Sequence, residues 1–538
     1  MPPRTVSAVL PFVSTDPRIR AAYAEGAGIY RIVPQAVARP ATVDDARRLV
    51  AWAGDTGTPL IPRGAGSGMP GHNVGRRVVV DLSRGFRELA MDPERRRARA
   101  GASVTWAEVS AAAGTHGLRL PPDPSSGAFA TSAGMVQTNA AGPRSVRYGS
   151  VRRWVEAIEV IGADGDVRWI RRGAGSGERI ALDQNARGLV AARFPKTRKN
   201  SSGYALDAFA ASGDEVDLFI GAEGTLGLVT AVEWRLDPIP PHRAGAALGF
   251  RDVTALAGAI PFLLSLSPSA VELLDATLLD LMAPVGAHLP AGLEGLLLIE
   301  FERPSAAAAR GAVGDAARGL RDLTAHVETA VDGEALERLW KIRHLASPAL
   351  ARLPPTSRSL QVVEDGCVPV GRLADYVTGL RTAAARRGVR VALFGHAGDG
   401  HVHVNALPDV TRPDWRDGLL GLYDDVTGLL AALGGTPSGE HGDGRLRAGV
   451  LDRFFGAEVV GMFRALKGAY DPLSLFNPGV IIPAADWAPL ADLKVGPDAA
   501  AIPDDIAARL RDVERSAGWA TPRLSLVTPN PEPQAPIP

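Results

Sequence analysis

The sequence predicts an α+β protein of two units, and three observations support that prediction. Helical and strand patterns alternate from Arg31 to about Pro240, separated by glycine-rich turns, as expected for one mixed unit. After the prolines of "DPIPPHRAG", alanine- and leucine-rich helices alternate with strands such as "GLLLIEF". The chain has 538 residues, 46% of them hydrophobic and 22% charged. That length exceeds one ordinary core, and that composition is typical of a globular protein.

The order of local signals gives the expected domain limits. The segment "TVDDARRLVAWAGDTG" begins with a capping-box pair, Thr42 and Asp45, continues at helical spacing and ends at glycine, and "TPLIPR" follows as a short strand. The second unit ends at the Asn-Pro-Gly turn of "LFNPGVIIP". One further helix, "PDDIAARLRDVERSAG", precedes the proline-rich "TPNPEPQAPIP". The predicted limits are an N-terminal lead at 1–30, a first domain at 31–240, a second domain at 241–483, and a helix with a flexible tail at 484–538.

Charge, cysteine content and hydropathy exclude several classes of protein. The formal net charge is zero, so no basic surplus indicates a nucleic-acid partner. The single cysteine, Cys367, excludes an internal disulfide and an iron–sulfur cluster held by this chain alone. The N-terminus lacks a secretory pattern, and the apolar segments are shorter than the ~20 residues of a transmembrane helix. We expect a cytoplasmic protein with no transmembrane segment, and peripheral membrane attachment stays open.

The first glycine-rich segment, "RGAGSGMPG", has the G-x-G-x-x-G spacing at Gly66, Gly68 and Gly71. In a nucleotide-binding βαβ unit this motif opens a helix. Here it enters "RRVVVDL", whose β-branched residues predict a strand. A strand–loop–strand turn of this kind is either an ordinary hairpin or a nest of backbone N–H groups that binds an anion such as a diphosphate.

Two further segments of the first unit are rich in glycine and small polar residues. They are "PPDPSSGAFATSAGMVQTNAAGPRSVRYGS" and "FIGAEGTLGLVTAV". Small residues let the backbone approach a large flat ligand closely. Three such segments in one unit indicate a long ligand that lies across it.

The order of these three segments resembles the flavin-binding domain of the vanillyl-alcohol oxidase family, which includes p-cresol methylhydroxylase. The resemblance implies a two-subdomain FAD-binding domain followed by an α+β substrate (cap) domain with an antiparallel sheet. Some relatives attach FAD covalently through a histidine near the first loop, which makes His72 a candidate. The segment "SGMPGHNV" is more similar to the noncovalent branch and favours a structural or polar-contact role for His72. The positions that the resemblance assigns to FAD are Arg63, Gly64, Ala65, Gly66, Ser67, Gly68, Pro122, Asp123, Thr131, Gly134, Asn139, Gly142, Tyr148, Glu223, Gly224, Gly227, Val229 and Asn477.

The second unit contains a histidine-rich turn, "FGHAGDGHVHVN". If the strand after the turn is regular, His401, His403 and Asn405 share one face, and His396 lies on the turn. Farther on, "GGTPSGEHGDGR" places Glu440 and His441 side by side in another glycine-rich loop. Imidazoles with one carboxylate suit a divalent ion such as Zn²⁺ or Mn²⁺, and three protein ligands leave a position open for substrate. The alternative is that these histidines only bind backbone carbonyls.

The two loops together resemble the C-terminal domain of FAD-linked D-2-hydroxy-acid dehydrogenases, a group that includes D-lactate, glycolate and D-2-hydroxyglutarate dehydrogenases. The resemblance implies metal ligands at His396, His403 and Glu440 and a general base at His441. It also implies substrate contacts from Asn405 and from Arg343, which lies in the similar segment "LERLWKIRH". The implied reaction is oxidation of a 2-hydroxy acid to the 2-oxo acid, with metal-assisted deprotonation, hydride transfer to FAD, and Arg343 as a catalytic and substrate-binding residue.

The sequence departs from that pattern at two places. Many relatives have asparagine where His401 stands, so this imidazole either supports the ligands or alters the ion preference. Relatives specialised for short or dicarboxylate substrates carry a lysine before the strand that here is "LQVVEDGCVPV", where this chain has valine or glutamate. The exact hydroxy acid therefore stays open.

The resemblance leaves the electron acceptor and the assembly open. The acceptor is expected to be external: a quinone, an electron-transfer flavoprotein, a cytochrome or a separate iron–sulfur subunit. A homodimer is possible. Two alternatives to a self-sufficient dehydrogenase are an FAD transferase similar to alkyl-glycerone-phosphate synthase and the flavin subunit of a glycolate oxidase-type complex.

Overall fold

The smaller sheet of the first unit holds the first glycine loop. The computed structural model describes residues 10–175, 180–286, 289–354 and 356–527, so the predicted flexible tail "TPNPEPQAPIP" lies outside the described residues. The sheet has the order β1-β2-β4-β3, and β2, β4 and β3 are parallel. Its strands and helices are β1 (Val13–Ser14), α1 (Pro17–Ala22), β2 (Ala36–Ala38), α2 (Val43–Thr56), β3 (Leu60–Arg63) and β4 (Val78–Asp81).

Helix α2 begins and ends as the sequence predicts. Thr42 Oγ1 accepts the backbone N–H of Asp45 at 3.1 Å, and the Asp45 carboxylate accepts the backbone N–H of Thr42 at 3.3 Å. Gly57 ends the helix in the left-handed region at φ 61°, a conformation that glycine adopts without steric cost. The chain then enters β3 and the glycine loop.

The larger sheet of the first unit is antiparallel and has the order β5-β6-β10-β8-β9. A separate two-stranded pair joins β7 to β11. The strands are β5 (Leu89–Asp92), β6 (Arg97–Gly101), β7 (Leu118–Arg119), β8 (Val155–Ile161), β9 (Val167–Arg171), β10 (Leu228–Arg235) and β11 (Asp237–Pro238). The helices of this region are α3 (Trp106–Gly114), α4 (Ser132–Thr138), α5 (Ser145–Tyr148), α6 (Gln184–Arg193), α7 (Leu206–Ser212) and α8 (Val216–Phe219).

The second unit is built on a seven-stranded sheet, whose adjacent strands run antiparallel, in the order β15-β12-β14-β13-β17-β18-β16. The predicted strands "GLLLIEF" and "GHVHVN" are its β14 and β18. The strands are β12 (His242–Phe250), β13 (Ala270–Asp275), β14 (Gly295–Arg303), β15 (His326–Ala330), β16 (Gly366–Cys367), β17 (Arg390–Gly395) and β18 (His401–Leu407). The helices are α9 (Val253–Ser265), α10 (Ala276–Met282), α11 (Ala306–Gly319), α12 (Gly333–His344), α13 (Ala346–Ala351), α14 (Leu373–Arg386), α15 (Trp415–Ala432) and α16 (Gly444–Arg447).

After the second unit the chain returns to the first. In α17 (Asp452–Tyr470), Phe455 packs edge-on against Phe194 with ring centroids 5.0 Å apart, and Phe463 packs against Tyr204 at 5.7 Å. These rings belong to the core of the larger first-unit sheet, and Arg453 of α17 donates to the Thr427 hydroxyl of α15 at 3.1 Å, so α17 contacts both units. The domain limits given above remain predictions.

The last described helix also packs on the first unit. In α18 (Asp504–Arg515), Ile506 and Leu510 share a core with Tyr23 and Val79 of the smaller sheet. Among the described residues, no helix combines the length and the apolar character that crossing a membrane requires.

Candidate active site

A cavity of about 510 Å³ connects the glycine-rich segments of the first unit with the histidine cluster of the second. The first glycine loop and parts of the other two glycine-rich segments line one end. Arg343, Asn405, His403 and His441 line the other end. Cavities of this size hold small molecules and cofactors, commonly between domains.

The glycine loop approaches its surroundings too closely to accept side chains. A Cβ on Gly64 would lie 2.4 Å from Thr131 Oγ1, and a Cβ on Gly66, whose φ is 79°, would lie 2.3 Å from a guanidinium nitrogen of Arg63. Arg63 is buried under the loop and donates to the backbone carbonyl of Glu25 at 2.8 Å. The loop joins β3 to β4, as predicted, and its backbone faces the cavity, where successive N–H groups can bind an anion.

The residues around this end fit a dinucleotide. Gln137 Nε2 and Asn73 Oδ1 are buried without a hydrogen-bond partner among the described residues, and both side chains line the cavity. Buried amide atoms are nearly always satisfied in native proteins, so these atoms indicate a polar ligand. The ribityl, phosphate and ring groups of FAD would supply both donors and acceptors.

The structure brings most of the positions predicted to bind FAD to the wall of this cavity. They are Arg63, Gly64, Ala65, Gly66, Ser67, Gly68, Thr131, Gly134, Gly142, Glu223, Gly224, Gly227 and Val229. The predicted positions that are not part of this wall are Pro122, Asp123, Asn139, Tyr148 and Asn477.

Two of the five positions away from the wall, Asn477 and Tyr148, make polar contacts with protein groups. Asn477 donates from Nδ2 to the backbone carbonyls of His72 and Glu223, both at 2.8 Å, and so ties together two loops behind the cavity. The Tyr148 hydroxyl donates to the Glu302 carboxylate. These contacts satisfy the donor groups of both side chains without a ligand.

His72 lines the cavity beside the buried carboxylate of Glu223, with Nδ1 3.0 Å from Oε2. Glu223 also accepts the backbone N–H groups of Asp443 and Gly444 at 2.7 and 2.8 Å, so it links the first unit to the loop that carries Glu440. A polar-contact role for His72 stays the prediction.

Two histidines and one glutamate converge at the other end of the cavity. Glu440 Oε1 lies 3.0 Å from His396 Nε2 and 3.2 Å from His403 Nε2. His396 Nδ1 donates to Glu272 at 2.6 Å and His403 Nδ1 donates to the backbone carbonyl of Glu364 at 3.2 Å, because both partners can only accept. In its neutral form each imidazole therefore presents the lone pair of Nε2 to the Glu440 carboxylate.

Three acceptors that converge in this way fit a cation. Ligand atoms around one tetrahedral Zn²⁺ lie roughly 3.3 Å apart, since zinc bonds to nitrogen and oxygen are about 2.0–2.2 Å long. The three side chains, with His401, form a group whose ligand atoms all lie within 4.8 Å of one another, and they are buried. The predicted ligands His396, His403 and Glu440 are thus brought together, and their outer hydrogen bonds resemble those that orient metal-binding histidines.

The charge balance of the cluster also favours a cation. Four buried carboxylates, Glu272, Glu364, Asp365 and Glu440, stand against three buried permanent cations, Arg343, Arg447 and Lys199. With neutral histidines the cluster is negative. Burial lowers the pKa of His396, but the carboxylates of Glu272 and Glu440 raise it to about 9, so these carboxylates stabilise a positive charge at this position, either a proton or a cation.

His441 lies at the edge of the cavity and is oriented by two acidic residues. Its Nδ1 lies 2.6 Å from Glu364 Oε2, and its backbone N–H donates to Asp365 Oδ2 at 2.8 Å. Arg447 holds the other oxygen of Glu364 at 2.6 Å. Burial lowers the pKa of His441, but Asp365 and Glu364 raise it to about 10. Because Nδ1 donates to Glu364, Nε2 is the nitrogen that faces Glu440, at 3.9 Å.

Arg343 and Asn405 line the same end of the cavity. Arg343 is buried, its Nε donates to Glu272 at 3.0 Å, and its guanidinium lies over the Phe394 ring at 4.4 Å. The Nε edge of the guanidinium is therefore held by Glu272. The terminal nitrogens, which have no hydrogen-bond partner among the described residues, can bind a carboxylate. Asn405 Oδ1 accepts from Ser359 at 2.9 Å, which leaves its Nδ2 as a donor.

Sequence reasoning missed the acidic and basic partners of these residues. Glu272 is a single acid within the apolar strand segment "SAVELLD", and Glu364 and Asp365 end the apolar run "LQVVED". Lys199 donates to Glu440 Oε2 at 2.6 Å and lies in "KNSSGY". The available signal was a charged residue inside an apolar or small-residue run, because such a residue is rarely buried without a partner.

The extra imidazole of His401 lies behind the ligands. Its Nε2 lies 2.8 Å from Asp365 Oδ1 and its Nδ1 lies 3.3 Å from Lys199 Nζ. Burial and Lys199 lower its pKa to about 3. Both ring nitrogens thus have protein neighbours, and this favours a supporting role over direct coordination.

Comparisons with known proteins cover both units of the chain. Residues 34–171 match the family described as "FAD binding domain", and residues 239–481 match "FAD linked oxidases, C-terminal domain". The glycolate oxidase subunit GlcD of Bacillus subtilis is 30% identical over 455 residues, which cover 84% of this chain and 89% of that protein. The D-lactate dehydrogenase of Archaeoglobus fulgidus is 29% identical over 453 residues, covering 83% of this chain and 91% of that protein.

Solved structures show the same fold at low identity. Substrate-bound p-cresol methylhydroxylase superposes with a TM-score of 0.64 at 15% identity, over 89% of this chain and 95% of that chain. Alkyldihydroxyacetonephosphate synthase gives 0.62 at 15% identity, over 87% and 83%. The fold and the cavity therefore define a flavoprotein with an FAD-binding domain of the p-cresol methylhydroxylase type. More specifically, the chain belongs to the FAD-linked oxidase family, as its motifs predicted.

Proposed function

We propose that this protein is an FAD-dependent dehydrogenase that oxidises a D-2-hydroxy acid to the 2-oxo acid. The observation that supports this most directly is the cavity, which joins the glycine cradle to a cluster of two imidazoles, one carboxylate, one arginine and one further histidine. An arginine beside a cation-binding group suits a substrate with a carboxylate next to a hydroxyl. The names of the relatives above, glycolate oxidase subunit and D-lactate dehydrogenase, agree with that substrate class.

In this proposal Arg343 binds the substrate carboxylate through its terminal nitrogens. Glu272 and Phe394 hold the guanidinium in place, so less side-chain entropy is lost on binding. Asn405 donates from Nδ2 to the substrate. These contacts orient the hydroxyl-bearing carbon toward the glycine cradle.

His441 takes the hydroxyl proton on Nε2 in its neutral form. A cation held by the neighbouring Glu440 favours that form, because its positive charge offsets the carboxylates that raise the pKa of His441 to about 10. The hydrogen bond from Nδ1 to Glu364 fixes this tautomer and stabilises the imidazolium that forms. His396, His403 and Glu440 would hold a divalent cation, Zn²⁺ or Mn²⁺. When bound, that cation lowers the pKa of the hydroxyl, and FAD accepts the Cα hydrogen with its two electrons.

The decisive experiment is anaerobic addition of D- and L-2-hydroxy acids to the FAD-loaded protein. We expect D-lactate or another D-2-hydroxy acid to bleach the flavin absorbance near the visible maximum and to yield one equivalent of 2-oxo acid. The L-enantiomers are the matched control. Bleaching by neither enantiomer of any hydroxy acid in the panel would reject the proposal.

The shape and charge of the cavity predict a preference for monocarboxylates. At the histidine end of the cavity, Arg343 is the one lysine or arginine side chain among the described lining residues. The neighbouring walls include Leu350, Ala351 and Phe394. A second carboxylate on the substrate would have no partner there, and an unpaired buried charge is costly. We expect kcat/KM for D-lactate or a longer apolar D-2-hydroxy acid to exceed that for D-2-hydroxyglutarate by about tenfold or more.

A variant pair tests that preference with a dye as electron acceptor. Leu350→Lys supplies a cation for the second carboxylate of the substrate. It is expected to lower the ratio of kcat/KM for D-lactate to kcat/KM for D-2-hydroxyglutarate. Leu420→Lys, at an exposed position, is the control and is expected to leave the ratio unchanged. Equal or better use of the dicarboxylate by the unmodified protein would contradict the prediction.

The electron acceptor, the metal identity and the assembly belong to the proposal as well. The chain has one cysteine, Cys367, which is buried, so it cannot itself hold an iron–sulfur cluster. We infer an external acceptor for the reduced flavin. The word "subunit" in the name of the Bacillus subtilis relative makes a separate redox partner one candidate for that role.

A further inference from the structure

A second cavity adjoins the glycine loop on the side away from the histidine cluster. Its volume is about 710 Å³, and it is lined by the loop, by the end of β4 and by residues 519–523 near the C-terminus. Arg63, Gly64, Ala65 and Trp519 line both cavities. The glycine loop is therefore a common wall of the two cavities.

Arg523 is the unexplained residue of this second cavity. It is 5% exposed, and none of its three guanidinium nitrogens has a hydrogen-bond partner among the described residues. The guanidinium lies 5.2 Å from the centre of the Trp519 ring. A buried guanidinium without an acceptor is expensive, so the position indicates an anion that completes it.

The other charged groups that line this cavity have partners of their own, and Arg84 donates to the backbone carbonyl of Ala520 at 3.2 Å. The Arg87 guanidinium pairs with Glu108. Asp81 accepts the Tyr23 hydroxyl at 2.5 Å and the Ser83 hydroxyl at 2.6 Å. Arg63 donates to backbone carbonyls under the loop.

Among the described residues, no carboxylate pairs with Arg523. Burial first, and then the positive charge of Arg63, lower the pKa of Arg523 to about 9, although Asp81 acts in the opposite direction. The negative charge of an anion bound at the loop would offset both of the lowering effects.

We propose that Arg523 binds a phosphate group of FAD and that residues 504–527 form a second wall of the cofactor site. This segment lies outside both matched family regions, which end at residues 171 and 481. Its helix α18 packs against the smaller sheet through Ile506 and Leu510, which holds the 519–523 turn over the loop. The inference depends on FAD binding and not on the identity of the substrate.

The test compares Arg523→Gln with Arg511→Gln, an exposed arginine of α18, as the matched control. We expect Arg523→Gln to raise the Kd of the apoprotein for FAD by about tenfold or more and the control to leave it unchanged. Arg523→Lys keeps the positive charge but loses the planar guanidinium, and its Kd for FAD is expected to lie between those of the two glutamine variants. Riboflavin, which has no phosphate, is expected to bind both glutamine variants and the unmodified protein equally.

Thermal unfolding separates this role from simple packing. Removing an unpaired buried charge is expected to leave the apoprotein Tm unchanged or higher, while the Tm gain on adding FAD becomes smaller. An equal loss of Tm in the apo and FAD-loaded forms, or an FAD Kd within twofold of the unmodified protein, overturns the proposal. If inorganic phosphate stabilises the FAD-loaded protein through Arg523, the anion is free phosphate and the assignment to FAD is wrong.

Discussion

Replacing His441 with alanine is expected to lower turnover by about two to four orders of magnitude, the usual contribution of a positioned general base. The variant keeps Arg343, the metal-binding group and the glycine cradle, so substrate and FAD still have their contacts. We therefore expect KM to change little and the flavin absorbance per chain to match that of the unmodified protein. Anaerobic single-turnover bleaching measures the loss directly, because it is independent of the acceptor.

Two further variants show whether the effect belongs to the base. Glu364→Gln keeps the shape of the partner of His441 but removes the carboxylate that fixes its tautomer, and it is expected to give a smaller loss than the alanine variant. His116→Ala, at an exposed position, is expected to leave turnover unchanged. Bleaching by the His441→Ala variant at the rate of the unmodified protein would remove His441 from the base role.

The two loops that form the site could be found from sequence because their residue types are unusual at those spacings. Alternating polar residues on β18 set His403 and Asn405 on one face, and glycines beside Glu440 and His441 indicate tight turns. The first glycine loop could be distinguished from a nucleotide-binding βαβ motif because a run of β-branched residues follows it. Local pattern was sufficient in each of these cases.

The rest of the site depends on contacts between distant segments, and one sequence does not specify those. Glu272 on β13 orients His396 across 124 positions, and Lys199 reaches Glu440 across 241. The resemblance assigns Asn477 and Tyr148 to FAD; both lie away from the cavity wall and their polar side-chain atoms contact protein groups, so their contact with FAD stays a prediction. A motif gives the neighbourhood of a residue, but the direction of its side chain follows from packing. For the same reason the sequence contains no sign of Arg523, whose guanidinium is unusual because it has no hydrogen-bond partner among the described residues.

Replacing Glu440 with glutamine is expected to abolish stoichiometric metal binding and to lower turnover by about 100-fold or more. The neutral amide is a poor ligand beside two imidazoles, and the negative charge that attracts the cation is lost. Metal analysis of dialysed protein, with FAD content measured on the same sample, gives the direct measurement. Glu337→Gln, an exposed glutamate of α12, is the control and is expected to keep both metal and turnover.

Glu440→Gln also breaks a buried ion pair, so a loss of activity alone would be ambiguous. Lys199 lies 2.6 Å from Glu440 Oε2, and stranding a buried partner of this kind costs about 3–5 kcal/mol of unfolding free energy. The double variant Glu440→Gln with Lys199→Met removes both charges and is expected to recover most of the lost Tm without recovering the metal. That combination of a restored Tm with an empty cation site would assign Glu440 to metal binding separately from folding. A double variant that regains stoichiometric metal and turnover would instead show that Glu440 is not a ligand.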